Sequence, residues 1–366
     1  MITTGARIRY FQDKIDNYRI DFIKRSAGMN LPNVRFVGEF RKFENAPAEE
    51  LMQLFISIPI KNQEQIITDV IQTLLDNSGQ PITIGLLFDN CTDQSFQKCK
   101  TFFETSFCFY SKLKSVYFLE SDGELFESTC ENILLLFCSD IYFVSLQADI
   151  YFNDKSFFSK SHLAFCKMPN LLGVSGRAVL PFRKITKSQE FFTKLIRINY
   201  YLKRMVLFSS SWRNLGPYIP GLGYFGDISN IPITKMKYSR KQINSLYLGS
   251  AIIRGPIIWK AELLKQLNGF DDISFFLGRD DCDLCFRGSL QGYIVGYIPS
   301  SCYSYSAAGT TRKPRTKQVD DAIHRRILLA EANPGNLTKE WLRKRKSSEI
   351  ILGFIRAMTN QRIVSL

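Results

Sequence analysis

Residues 54–90 read LFISIPIKNQEQIITDVIQTLLDNSGQPITIGLLFDN, and the fold is decided here. The first seven residues are an almost unbroken, β-branched apolar run closing around Pro59, of the length of a buried strand. Ile66, Ile67, Val70, Ile71, Leu74 and Leu75 then recur at helical spacing, with Asn62 where an N-cap belongs and Gln65 at the third helical position. A second buried run, ITIGLLF, passes directly into the polar turn DNCTDQS. Strand, helix and strand in this order are the unit of a parallel sheet.

Outward from this unit, a third strand is expected at SVYFLE (115–120), a helix over Leu125–Phe137, and a fourth strand at IYFVSLQ (141–147), just ahead of Asp149. The fold class is therefore α/β, a mostly parallel sheet with helices on both faces. Residues 1–50, mixed in charge and without a clear hydrophobic period, read as an N-terminal extension. Residues 51–311 read as the sheet domain, in which 181–248, rich in Tyr, Ser, Lys and Arg with Gly-Pro punctuation, is an insertion or lid region. Residues 312–366 read as a basic helical C-terminal tail. One amphipathic helix there would hold Ile323, Ile327 and Leu328, and a second Ile350, Ile351, Phe354, Ile355 and Met358.

With 366 residues, 45% of them hydrophobic and 22% charged, the chain has a globular balance that excludes a disordered segment or a disulfide miniprotein. The longest apolar stretch, 133–150, is cut by Asp140, Gln147 and Asp149, short of the roughly 18 apolar residues of a membrane-spanning helix. The N-terminus lacks the apolar core of a signal peptide, so a cytoplasmic location is expected. Nine irregularly spaced cysteines suggest reduced thiols, and the lone Cys282–Cys285 pair lacks the further ligands of a zinc site. The net charge of +14 is concentrated from Arg312 onward, where thirteen Lys or Arg face five Asp or Glu. An anionic partner, a phospholipid surface or a polyanionic glycan, is one reading of this segment; a helix packed on the protein's own core is the other. Nucleic acid is not among the expected partners.

Ligands of open α/β sheets sit beyond the carboxyl ends of the strands. Those ends carry Lys61, Asn62 and Glu64, then Asp89, Asn90 and Asp93, then Gln147 and Asp149. A carboxylate there can accept a hydroxyl or base hydrogen bond, or hold a divalent cation against a diphosphate. For Asn62 and Asp93, turn and cap formation is an equal alternative; Asp149 directly continues a strand with no turn cluster around it. Further on, Asp271, Asp272, Asp280, Asp281 and Asp283 crowd one short stretch. Such crowding raises a carboxyl pKa and suits a general base, while acidic residues in a first helical turn also favour the helix dipole.

Taken in order, ISIPIKNQE, ITIGLLFDNCTDQS, SDIYFVSLQADIYF and NGFDDISFFLGRDDCDLCFR resemble the family 2 glycosyltransferases, of the GT-A fold, over roughly Leu54–Thr311. In that family the first strand ends in Pro-x-x-Asn-x-Glu, matched by Pro59, Asn62 and Glu64; the second ends in a nucleotide-reading Asp, matched by Asp89, followed by Thr92 and Asp93. Asn132 matches the Asn of the helix before the metal motif. The metal motif Asp-x-Asp is here Gln147, Ala148 and Asp149, which leaves Asp149 as the metal ligand. By the same resemblance Asp281 is the catalytic base, Asp280 its acidic neighbour, and Asp283 and Arg287 structural.

The resemblance implies an inverting, non-processive transferase, akin to rhamnosyl- or galactosyltransferases. It would move a hexose or deoxyhexose from a nucleotide-diphospho-sugar to a glycan or glycolipid acceptor with Mn²⁺ or Mg²⁺, Lys61 lying in the donor site. Two positions depart from the pattern: Gln147 replaces a carboxylate, and Tyr305 stands where many relatives carry His, while His162 and His324 lie elsewhere. Neutral Tyr is a poor ligand for a hard cation. A catalytically degenerate sugar- or nucleotide-binding protein is thus the alternative, and a nucleotidyltransferase is disfavoured because IKNQEQ has no glycine.

Overall fold

The computed structural model describes residues 5–42, 52–152, 154–176, 245–249, 251–252, 256–276, 280–298, 303–305, 317–332, 343–344, 346–349, 352 and 363–365. The strands are β1 (Val34–Arg41), β2 (Leu54–Ile60), β3 (Ile82–Phe88), β4 (Leu113–Ser121), β5 (Tyr142–Ser145), β6 (Ile150–Phe152), β7 (Leu171–Ser175), β8 (Ser245–Gly249), β9 (Ile257–Lys260), β10 (Ile294–Tyr297), β11 (Tyr303–Tyr305) and β12 (Ile363–Ser365). The α-helices are α1 (Gly5–Arg25), α2 (Ile67–Asn77), α3 (Ser95–Ser106), α4 (Glu127–Leu135), α5 (Phe157–Lys167), α6 (Ala261–Gln266), α7 (Asp280–Leu290) and α8 (Lys317–Ala332).

Ten strands form one sheet in the order β1-β4-β3-β2-β5-β9-β7-β10-β8-β12, and β6 pairs with β11 in a separate ribbon. The block β4-β3-β2-β5 is parallel throughout. Strand β9 is antiparallel to both β5 and β7, so β7 and its parallel neighbour β10 run with the first block. The sheet is therefore mostly parallel, with β1, β9 and β8 reversed.

Side chains of a strand alternate between faces, and β2 sorts accordingly. Leu54, Ile56, Ile58 and Ile60 pack with Ile71 and Leu74 of α2, Phe103 of α3 and Phe157 of α5. Phe55 points to the opposite cluster, which holds Phe11 and Ile15 of α1, Ile133 of α4, Leu264 of α6 and Leu284 of α7. Helices thus cover both faces, which is why the central strands are buried and mostly apolar along their length. On the second face Phe55 stacks on Phe143 at 5.8 Å and on Tyr117 at 6.2 Å.

Several expectations change. Residues 5–41 supply α1 and β1, the strand at one sheet edge, rather than hanging apart from the sheet. Helix α2 starts at Ile67 with Ile66 at the cap, so Asn62 is not its N-cap; at φ +50° it belongs to the loop after β2. In α8 Ile323 is buried but Ile327 and Leu328 are exposed, so the expected apolar face is narrower than its spacing suggested. The chain's last described residues form β12, which adds to β8, so the tail is not wholly helical. Residues 181–244 of the proposed insertion, and the second tail helix apart from exposed Leu352, lie outside the described residues.

Candidate functional site

The loops after β2 and β3 are stitched together by side chains. Asn62 Oδ1 accepts the Thr92 amide at 2.8 Å, Glu64 carboxylate accepts the Gln94 amide at 2.9 Å, and Asp93 accepts the Glu64 amide at 3.0 Å. Asp93 also takes the Ser95 amide at 3.0 Å, which starts α3. The matched residues Asn62, Glu64, Thr92 and Asp93 therefore serve one another, and both loops are held at the carboxyl edge of the parallel block. Half-buried Pro59 sits one residue from the end of β2.

Asp89, directly after β3, is buried and accepts the Leu125 amide at 2.8 Å, the Phe126 amide at 3.1 Å and the Ser121 hydroxyl at 3.2 Å. Burial, with a further push from Glu124, raises its carboxyl to about 6. Lys61 bridges to Glu124 and donates to the Asn90 carbonyl at 2.7 Å. The strand-end carboxylate of β3 is thus the anchor of the loop after β4, where Phe126 adopts φ +68° immediately before α4.

Asn132 of α4 is buried, and its amide matches the backbone of Phe270 group for group: Nδ2 donates to the carbonyl at 2.8 Å and Oδ1 accepts the N–H at 2.8 Å. Gly269, at φ +67°, lies so close that a Cβ there would stand 2.4 Å from Asn132 Oδ1. This clamp fixes the start of the acidic stretch. Asp271 turns back on itself, accepting the Ile273 and Ser274 amides at 3.2 and 2.9 Å. Asp272 is buried against α1, paired with Arg25 at 3.0 Å and bonded by the Tyr18 hydroxyl. That contact and burial raise the Tyr18 phenol well above its usual value.

Helix α7 begins with Asp280 and Asp281, buried beside the positive end of its dipole together with Asp283. Asp281 Oδ1 accepts the Cys282 amide at 2.8 Å. Asp283 forms a fully buried ion pair with Arg287 at 2.8 Å, and Arg287 also donates to the Leu267 and Gly269 carbonyls. A buried ion pair whose cation also meets two backbone carbonyls fixes the geometry of this turn.

Asp149 does not continue a strand as expected: it is buried in the turn between β5 and β6, closed by the Ile150 amide on the Gln147 carbonyl at 3.2 Å, with half-buried Gln147 before it. The β6–β11 ribbon sets Tyr305 opposite Ile150, so the backbone of Tyr305 runs alongside the residue after Asp149. Among the described residues no three His, Cys, Asp or Glu side chains gather into a metal cage. The donor set at this turn, one carboxylate with a neutral amide nearby, suits Mg²⁺ or a similar hard ion, which often takes one or two carboxylates and completes its shell with substrate phosphates and water.

Sequence reading missed Tyr18, Arg25, Glu124 and Arg326, which tie remote segments to the candidate residues. The spacing of Phe11, Ile15, Tyr18 and Phe22 was the available signal for α1; three of the four are buried, and Tyr18 packs against the same cluster.

No family model and no curated protein matches the chain. Among solved structures it is similar to S. aureus TarS 1–349 in complex with UDP-GlcNAc, at 14% identity and TM-score 0.42, covering 84% of this chain and 79% of that one. It is also similar to the mannosyltransferase PcManGT from Pyrobaculum calidifontis in complex with GDP-Man and Mn²⁺, at 11% identity and TM-score 0.46, covering 96% and 97%.

Proposed function

We propose that the chain is an inverting, non-processive glycosyltransferase that moves a hexose or deoxyhexose from a nucleotide-diphospho-sugar to a hydroxyl of a glycan or glycolipid. The observation that carries this reading is the Asn132 clamp. It joins the start of the acidic segment to α4, whose preceding loop is anchored on Asp89, which supports a site that draws on both segments. Rigid placement of reacting partners is where such enzymes obtain much of their rate.

In this reading Asp281 takes the proton of the acceptor hydroxyl as it attacks the anomeric carbon, on the face opposite the nucleotide. Asp280 is its acidic neighbour in the first turn of α7. Pro59, Lys61, Asn62, Glu64, Asp89, Asn132 and Gln147 shape and support the donor site, and Asp149 would hold Mg²⁺ or Mn²⁺. A bound divalent ion supplies charge stabilisation at the departing diphosphate. The basic tail meets an anionic acceptor surface at a membrane. Among the described residues no helix is long and apolar enough to cross one.

A second reading, binding without turnover, is favoured by the burial of Asp281, only 3% exposed, and by Gln147 in the metal turn. A panel of nucleotide-diphospho-sugars, assayed for acceptor-independent donor hydrolysis and for calorimetric binding with and without Mn²⁺, separates the two. Hydrolysis of one donor sustains the transferase; tight binding with no hydrolysis and no transfer selects the second reading.

A further inference from the structure

Arg326, on α8, is 3% exposed and lies more than 180 residues from most of what it touches. Its guanidinium donates to the Asp272 carbonyl at 3.3 Å, to the Leu125 carbonyl at 3.2 Å and to the Thr129 hydroxyl at 3.0 Å. Three rings surround it: Phe22 of α1 at 4.7 Å, Phe276 of the acidic segment at 5.6 Å and Phe126 of the loop after β4 at 5.8 Å. Phe126 and Phe276 also meet edge to face at 4.8 Å. A guanidinium is planar and presents five donors in a fixed fork, so one Arg can hold several carbonyls at set angles where a Lys ammonium acts as a point charge.

The carbonyls it holds are not arbitrary. Leu125 gives its backbone N–H to Asp89 and its C=O accepts from Arg326, while the other arm of the fork donates to the carbonyl of Asp272, whose carboxylate is held by Arg25. One cation therefore links the strand-end carboxylate of β3 to the segment that leads into Asp280 and Asp281. We propose that Arg326 is a positioning residue that keeps the donor loop and the acidic segment in register, so that the C-terminal region is part of the active unit; this rests on the glycosyl-transfer reading above.

The test is Arg326→Lys in the full chain, compared with wild type at a temperature well below the melting point of both. Amide exchange should quicken by about tenfold or more in segments 121–129 and 270–276 together, with β2 and β3 unchanged, because the shared tie is lost. Donor KM should rise about tenfold and turnover fall, as interactions of one buried fork are removed. Thr129→Val, which deletes one acceptor without changing shape, should move KM in the same direction by a few-fold if Arg326→Lys fails to fold. Exchange that quickens in only one segment, or in both with wild-type KM and turnover, overturns the positioning role. Absence of donor binding and turnover in the wild-type chain instead removes the glycosyl-transfer reading, and the positioning proposal with it, even when the exchange result shows both segments loosened.

Discussion

Asn132 and Phe270 are 138 residues apart and are joined as neighbouring strands are, one amide presenting a donor and an acceptor to the other's backbone at 2.8 Å each. Replacing Asn132 by Ala removes both bonds to the Phe270 backbone, at a cost of about 1–3 kcal/mol for the two. Urea unfolding of Asn132→Ala should show this loss, and a change below about 0.5 kcal/mol would mean the clamp is dispensable. Gly269→Ala should be destabilising too, since its Cβ meets Asn132 in a backbone conformation that disfavours a side chain.

Apolar patterning made the sheet legible before any coordinates, because strands buried on both faces and amphipathic helices each write their period into the sequence. Thus LFISIPI and ITIGLLF became β2 and β3, and α2 buries Ile67, Val70, Ile71, Leu74 and Leu75. The order of β9 between β5 and β7 was not legible, since sheet order depends on contacts between distant segments. For the same reason Asp89 and Asn132 were visible as polar residues at expected places, but their partners, Leu125 and Phe270, were not. Arg326 carried no signal at all: one Arg in a basic tail looks like its neighbours until the three rings around it are placed.

Asp271 is buried beside Asp283, which together with desolvation raises its carboxyl from the ordinary 3.8 to about 6. A carboxyl raised by folding contributes stability that is complete below its unfolded value and is lost as pH rises through the folded one. Asp271→Asn keeps the oxygen that accepts Ile273 and Ser274 and removes the charge. The variant should match wild type near pH 4 and become the more stable of the two as pH passes 6, by on the order of 1 kcal/mol. Denaturation at pH 4, 5, 6 and 7 checks it, and a difference that stays flat with pH would contradict the buried charge.

Asp281→Asn should reduce sugar transfer by roughly 10² to 10⁴ while nucleoside diphosphate affinity stays within a few-fold, because a general base acts on the acceptor. Asp280→Asn should be milder, acting through its neighbour. Kinetics with saturating donor decide the assignment. The reverse order of damage would move the base to Asp280, and full activity in both would remove the acidic pair from the chemistry.

Asp89→Ala should weaken nucleoside diphosphate binding by about 1–3 kcal/mol, because the Leu125 and Phe126 amides lose the acceptor that orders their loop. Calorimetry showing unchanged affinity would place the nucleotide elsewhere. In the unliganded wild type the Asp89 carboxyl should titrate near 6 rather than near 3.8, which carbon NMR of the side chain reads directly.

The basic tail should bind acidic vesicles through its exposed cluster, which includes Arg343, Lys344 and Lys346. Removing everything after Thr311 is a poor test, because it also deletes Arg326 and the β12 strand that pairs with β8, and so disturbs the core. Charge reversal is cleaner: Arg343→Glu, Lys344→Glu and Lys346→Glu change the surface and leave α8 in place. Each cation near an anionic surface is worth roughly 1 kcal/mol, so reversing three should lower vesicle binding by at least a hundredfold. Added salt should weaken the wild-type interaction in the same direction, since the attraction is screened within a Debye length. Co-sedimentation with phosphatidylserine vesicles measures both effects. Equal binding by wild type and variant, or binding indifferent to salt, would leave the cluster as a solvated face and send the search for the acceptor to a soluble glycan.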